Sequence, residues 1–174
     1  VVLSLHYLWR SLAGCLIINV YISPWLLLAI FELAMFLGLS KRKGDLLLLG
    51  QEKAQEHKKT YREYSIPLLN QYQTMISASV FITYALYLII RFNIFAENAI
   101  TVNDYVIFLT LPVLFYILMR YNYLTNENPE MARSTEKAFR DKGMLTAGLI
   151  FGGLLAYAFY YELALDYLLQ FLFP

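Results

Sequence analysis

Apolar residues along this chain come in long blocks separated by polar stretches. Val1 to Tyr21, Pro24 to Leu39, Ser65 to about Ile90, Tyr105 to Met119 and Met144 to Tyr161 each predict a membrane span. Leu163 to Pro174 is shorter and predicts a half-span or an interfacial helix. A soluble helical bundle would carry polar stripes at helical period, and the fourth and fifth blocks carry none. In lipid, helices satisfy their own backbone groups, so the pattern predicts an all-α polytopic transmembrane bundle. It would have about five spans plus a short C-terminal helix, all within one membrane domain.

Local signals punctuate the blocks. Ile22-Ser23-Pro24-Trp25 predicts a tight corner, with Ser23 placed to cap the next helix, Pro24 in its first turn and Trp25 at an interface. Gly148 and Gly152 form a close-packing pattern for helices. Ser65-Ile66-Pro67 opens the third span, whose first turns carry Asn70, Gln71 and Gln73 before it becomes fully apolar.

The polar stretches fix an orientation. Ser40 to Gln71 is the longest of them, and seven of the fourteen Lys and Arg residues fall between Lys41 and Arg62. Arg120 to Lys142 holds five more, whereas the connections on the other side hold only Arg91. Short Lys/Arg-rich loops resist translocation, so the segments 41–64 and 120–142 are predicted to face the cytoplasm. The second either covers a cavity or connects helices, and is read here as a connector. A Leu46–Leu49 patch in the first could dip into the interface.

Composition narrows the class further. The chain is 59% hydrophobic, 17% aromatic and 16% charged, far from a soluble domain. Fifteen Tyr and twelve Phe suit aromatic belts at two interfaces. The lone Cys15 leaves neither a disulfide nor a cysteine metal site within the chain. Val1 is not Met, and no basic region precedes the first apolar block. The chain is therefore expected to begin inside a longer membrane protein.

Charges within spans are costly and usually paired or functional. Arg10 and Glu32 lie about ten residues on either side of the corner, which puts them at similar depth on antiparallel helices. Two readings stand: an Arg10–Glu32 pair in the bundle interior, or Arg10 reaching a phosphate in a polar cavity, with His6 on the same helix face.

Lys41, Arg42 and Lys43 sit where the second span emerges, with Asp45 one helical turn from Lys41. At a cavity mouth, such a cluster could hold diphosphate oxygens, Arg as a bidentate fork and Lys as a point charge. Asp45 could accept a proton, pair with Lys41 or help to hold Mg²⁺. Otherwise the cluster sets topology beside anionic lipid. Tyr61, Tyr64 and Ser65 lie at the far end of the stretch. Tyr64 and Gln71, seven apart, would share a face on one helix; both also suit an interface.

Four segments carry a resemblance. Trp9-Arg10-Ser11-Leu12-Ala13-Gly14 and Ile22-Ser23-Pro24-Trp25-Leu26-Leu27 are two of them. Leu39-Ser40-Lys41-Arg42-Lys43-Gly44-Asp45-Leu46, and Glu63-Tyr64-Ser65 with Leu69-Asn70-Gln71, are the others. In this order they resemble the UbiA superfamily of membrane prenyltransferases, in its decaprenyl-phosphate phosphoribosyltransferase branch. Phe115 to Tyr123, Asn128-Pro129-Glu130 and Arg140-Asp141-Lys142 are also similar to it. The resemblance covers most of this chain and the later part of the family's length.

It implies a nine-helix bundle in a bacterial or archaeal plasma membrane, with the site on the cytoplasmic side. It implies transfer of phosphoribose from phosphoribosyl diphosphate to a polyprenyl phosphate, with Mg²⁺ and no nucleic acid. The substrate-binding residues carried over are Lys41, Arg42, Arg10, Tyr64 and Gln71. Asp45 is carried over as both the catalytic and the metal-binding residue. The family's first motif, Asn-Asp-x-x-Asp-x-x-x-Asp, is absent and would belong upstream of Val1, and Asn70 stands where the branch tends to carry Asp. The chain by itself is therefore expected to be inactive. The alternatives are another UbiA-type prenyltransferase, or a non-catalytic bundle serving as a subunit or transporter piece. Self-association stays open.

Overall fold

The structure, a computed structural model, describes residues 2–17, 23–50, 63–92 and 102–172. Ile22 of the corner, Tyr61 and the basic residues Lys53, Lys58, Lys59 and Arg62 lie outside the described residues. Among the described residues, eight α-helices run in the order α1 (Val2–Ile17), α2 (Pro24–Leu49), α3 (Ile66–Arg91), α4 (Val102–Phe108), α5 (Thr110–Glu127), α6 (Pro129–Arg133), α7 (Thr135–Ala138) and α8 (Lys142–Leu172). The described residues contain no strand, in keeping with the all-α expectation.

Among the described residues, four helical stretches are long and apolar enough to cross a membrane: α2, α3, the α4–α5 pair from Asp104 to Glu127, and α8 from Lys142 to Tyr160. The first predicted span appears as the 16-residue α1. Much of the apolar surface on these helices is unburied. Leu149 is 69% exposed, and Met75, Ile82 and Met119 each more than half. An apolar surface this extensive is compatible with contact with lipid and poorly suited to water.

Three expected boundaries move, each for a local reason. First, α2 does not stop at Leu39. It continues through Lys41 to Leu49, so the basic cluster lies on a helix rather than in a loop, and Gly50, with φ of 74°, ends it in a conformation that favours glycine. Second, the fourth span is two helices broken at Leu109. Pro112 has no N–H for the Phe108 carbonyl and its ring crowds that carbonyl, so the ladder cannot run through. The Thr110 hydroxyl donates to the Ile107 carbonyl at the break, and it also meets the Tyr84 hydroxyl at 2.9 Å. Third, the C-terminal segment is no separate short helix, because α8 runs unbroken over 31 residues.

Capping is only partly as expected. Ser65 accepts a hydrogen bond from the Leu68 N–H at 3.3 Å, whereas Ser23 sits at the N-cap of α2 without a side-chain cap bond. Gly148 and Gly152 face open space: a Cβ on either would meet nothing within 4 Å. The close-packing pattern is therefore not used among the described residues.

The fold is held by α2, which packs along α1, most extensively along α3, and against α6. Phe36 of α2, Val80 of α3 and Tyr121 of α5 meet in the central core, with the Phe36 and Tyr121 ring centroids 5.3 Å apart. A second cluster joins Leu39 and Leu46 to Leu69 and Tyr64. A third, around Tyr84, Leu88, Ile107 and Ala158, ties α3 and α4 to α8. The segment after α5 is more than a connector. Gly44 lets α6 approach so closely that a Cβ there would lie 2.8 Å from both the Ala132 Cβ and the Pro129 carbonyl oxygen.

Candidate lipid groove and its polar end

Two helices and one lysine build a groove of about 690 Å³ between α3 and α5. From α3 it takes positions 70, 73, 74, 77, 78, 81 and 82, and from α5 positions 115, 118, 119, 122 and 126. Each set has the three-and-four spacing of a single helix face. Along α3 the residues change from Asn70, Gln73, Thr74 and Ser77 to Ala78, Phe81 and Ile82. Along α5 they change in the reverse chain direction, from Asn126 and Asn122 to Met119, Leu118 and Phe115. Because the two helices run in opposite senses, polar lies beside polar and apolar beside apolar. At ~1.5 Å rise per residue, the gradient extends for roughly 18 Å.

Lys43 of α2 closes the polar end. It is only 2% exposed, and its Nζ donates to Asn126 Oδ1. A ladder of amides and hydroxyls continues from there. Asn126 Nδ2 donates to the Asn122 carbonyl at 2.8 Å, and Gln73 Nε2 donates to Asn122 Oδ1 at 2.7 Å and to Ser40 Oγ at 2.8 Å. Asn122 Nδ2 in turn donates to Ser77 Oγ at 3.2 Å. Ser40, Lys43 and Gln73 are buried, and their polar groups are tolerated there because the ladder gives them partners. Among the described residues no carboxylate pairs with Lys43.

The expected site residues are not gathered at this groove. On a helix, consecutive positions point about 100° apart, so Lys41, Arg42 and Lys43 diverge. Lys41 is exposed. Arg42 turns to Tyr64, donating to its hydroxyl at 2.7 Å with its guanidinium carbon 5.0 Å from the ring centroid. Only Lys43 enters the groove. Among the described residues, the ion pair of Asp45 is with the Arg133 guanidinium of α6, at 3.5 Å, and not with Lys41. Tyr64 precedes α3 and therefore does not share a helix face with Gln71, which is exposed.

The interior pair fails too. Arg10 and His6 are exposed on α1. Glu32 faces α3 instead, where Ser79 donates to its Oε1 at 2.6 Å, and its buried Oε2 has no partner among the described residues. Similar depth did not imply a shared direction.

Asp45 was also the expected metal ligand. Among the described residues, no three His, Cys, Asp or Glu side chains converge, and Asp45 is engaged by Arg133. Mg²⁺ prefers near-octahedral oxygen donors. The described residues do not fit a protein-held Mg²⁺ site.

Ser40, Gln73, Ser77, Asn122 and Asn126 were missed as site residues, and Lys43 was read only as one of the basic cluster. Their signal is in the sequence as paired spacing, Gln73 with Ser77 and Asn122 with Asn126, each pair one turn apart near the polar end of an apolar block. Outside the span, the Asp141 carboxyl is held below its usual range by the hydrogen bonds from Arg120 and from the Met144 N–H. No known family model, curated protein or solved structure matches this chain.

Proposed function

We propose that this chain is a membrane-embedded unit that binds a phosphorylated lipid and belongs to a UbiA-type transferase moving phosphoribose from phosphoribosyl diphosphate to a polyprenyl phosphate. The observation that carries the lipid part is the graded groove. One continuous surface offers an apolar track to a tail and a polar end to a head. The transfer itself rests on the sequence resemblance. In this reading the protein spans the membrane several times, with the polar end of the groove on the cytoplasmic side.

The chemistry asks little of acid–base groups. An anionic oxygen of the lipid phosphate attacks C1 of the ribose, the C1–diphosphate bond breaks, and diphosphate leaves with the electron pair. The attacking oxygen is already deprotonated, so no general base is needed. Positive charge stabilises the departing diphosphate. Lys41 and Arg42, at the water-side end of α2, are assigned to it, with Arg42 steadied by Tyr64. Mg²⁺ belongs to this reading only as the counter-ion that the donor carries, and no step above runs through it.

Membranes containing the protein are expected to convert labelled phosphoribosyl diphosphate and polyprenyl phosphate into a labelled lipid. Lys41→Gln with Arg42→Gln should raise the KM for the donor. No labelled lipid from the protein carrying this chain would reject the transfer. A second reading, a non-catalytic lipid-binding bundle, is favoured by the lack of a carboxylate cluster among the described residues, and it would then stand.

A further inference from the structure

The geometry points to Lys43 as the anchor for the head of a single-chain lipid phosphate monoester, with the tail lying along Phe81, Ile82 and Phe115. This rests on the lipid-binding part of the proposed function and does not need the transfer. Lys41 and Arg42, the cations singled out by the sequence, are not part of this site.

Three observations converge. Lys43 is almost wholly buried, yet among the described residues its Nζ donates only to the neutral Asn126 amide. An ammonium has three donors, and burying it without an anion is costly. An anion entering the groove would meet it at the polar end, where no described carboxylate competes. The second observation is the ladder. Gln73, Asn122 and Asn126 are tied to one another and to Ser40 and Ser77, so the neighbourhood of Nζ is fixed before a ligand arrives. The third is shape. The apolar part of the groove is formed by one face of each of two adjacent helices, which suits one chain side by side with their residues.

Charge decides the head and length decides the tail. A lysine is a compact point charge that suits a tetrahedral phosphate without demanding a planar fork. A monoester presents several anionic oxygens to Nζ and to the amide N–H groups around it, whereas an alcohol presents none. The gradient of roughly 18 Å leaves the far part of the tail among side chains that offer only apolar contact.

Binding of hexadecyl phosphate and of hexadecanol to the whole chain in detergent would test this, followed by native mass spectrometry and ligand-induced thermal shift. The phosphate should bind at least about tenfold more tightly than the alcohol. Lys43→Met should abolish that preference. Ala78→Phe, which fills the apolar part of the groove, should weaken both ligands and keep the preference. The wild-type comparison and Ala78→Phe carry the test if Lys43→Met does not fold. Equal binding of phosphate and alcohol would overturn the assignment. So would a preference that survives Lys43→Met, unchanged binding in Ala78→Phe, or inorganic phosphate binding as tightly as the lipid. Binding with these properties but without turnover would sink the transfer and leave the lipid site intact.

Discussion

Arg120 holds Asp141 with both arms of its guanidinium, Nε to Oδ1 at 3.0 Å and the terminal nitrogen to Oδ2 at 2.9 Å. The same carboxylate accepts the Met144 N–H at 3.0 Å, so one residue caps α8 and ties it to α5. The sequence shows only a basic-acidic turn at Arg140-Asp141-Lys142; the partner 21 residues earlier is a product of the fold.

This junction predicts an acid-sensitive contribution to stability. The Asp141 carboxyl titrates below its usual value, first because of the Arg120 hydrogen bonds and then the Met144 N–H. A carboxyl with a depressed folded-state value stabilises fully above its unfolded value, and that stabilisation is lost as pH falls through the folded one. Melting curves in detergent should therefore show Asp141→Asn less stable than wild type at pH 7 and converging with it in strong acid. Asp141→Ala should be lower still by about 1 kcal/mol, because it also removes the cap. A wild type–Asn difference unaffected by acid would refute this account.

Gly44 predicts a contrast with Gly38. A methyl at Gly44 would run into Ala132 and the backbone of Pro129 and Arg133, none of which can swing aside. Gly44→Ala should cost about 1–3 kcal/mol by overpacking. A Cβ on Gly38 meets nothing within 4 Å, so Gly38→Ala in the same helix should be neutral or stabilising by up to about 1 kcal/mol. Equal melting temperatures for the two variants would show that α6 does not dock on α2 as described.

The Gln73 ladder should behave as a unit. Gln73→Leu strips donors from the buried Ser40 hydroxyl and the half-buried Asn122 amide, at a cost of about 1–3 kcal/mol. Combining it with Asn122→Leu should cost less than the sum of the two, since the second change removes a group already stranded. Simple additivity would mean that the two amides do not share a network.

Glu32 should couple to Ser79 and not to Arg10. Arg10→Gln should change stability by no more than about 0.5 kcal/mol, as at other exposed positions. Ser79→Ala removes the donor to Glu32 and should cost about 1 kcal/mol or more. A double-mutant cycle giving a sizeable Arg10–Glu32 coupling would restore the pair that sequence depth suggested.

The sequence by itself determined the all-α class and the places where most of the membrane-length helices lie. Those depend on local quantities: runs of apolar side chains, Pro24 and Pro67 near helix starts, and a serine at Ser65 able to reach an N–H three residues on. It could not determine which neighbouring cations act together. Lys41, Arg42 and Lys43 look like one cluster in a string of letters, but helical rotation sends one to the surface, one to Tyr64 and one into the groove. Nor could it join Lys43 to Asn126, 83 residues away, or Asp45 to Arg133. Such partners are selected by how α2, α3, α5 and α6 pack, because direction around a helix axis has no consequence until another helix lies against it.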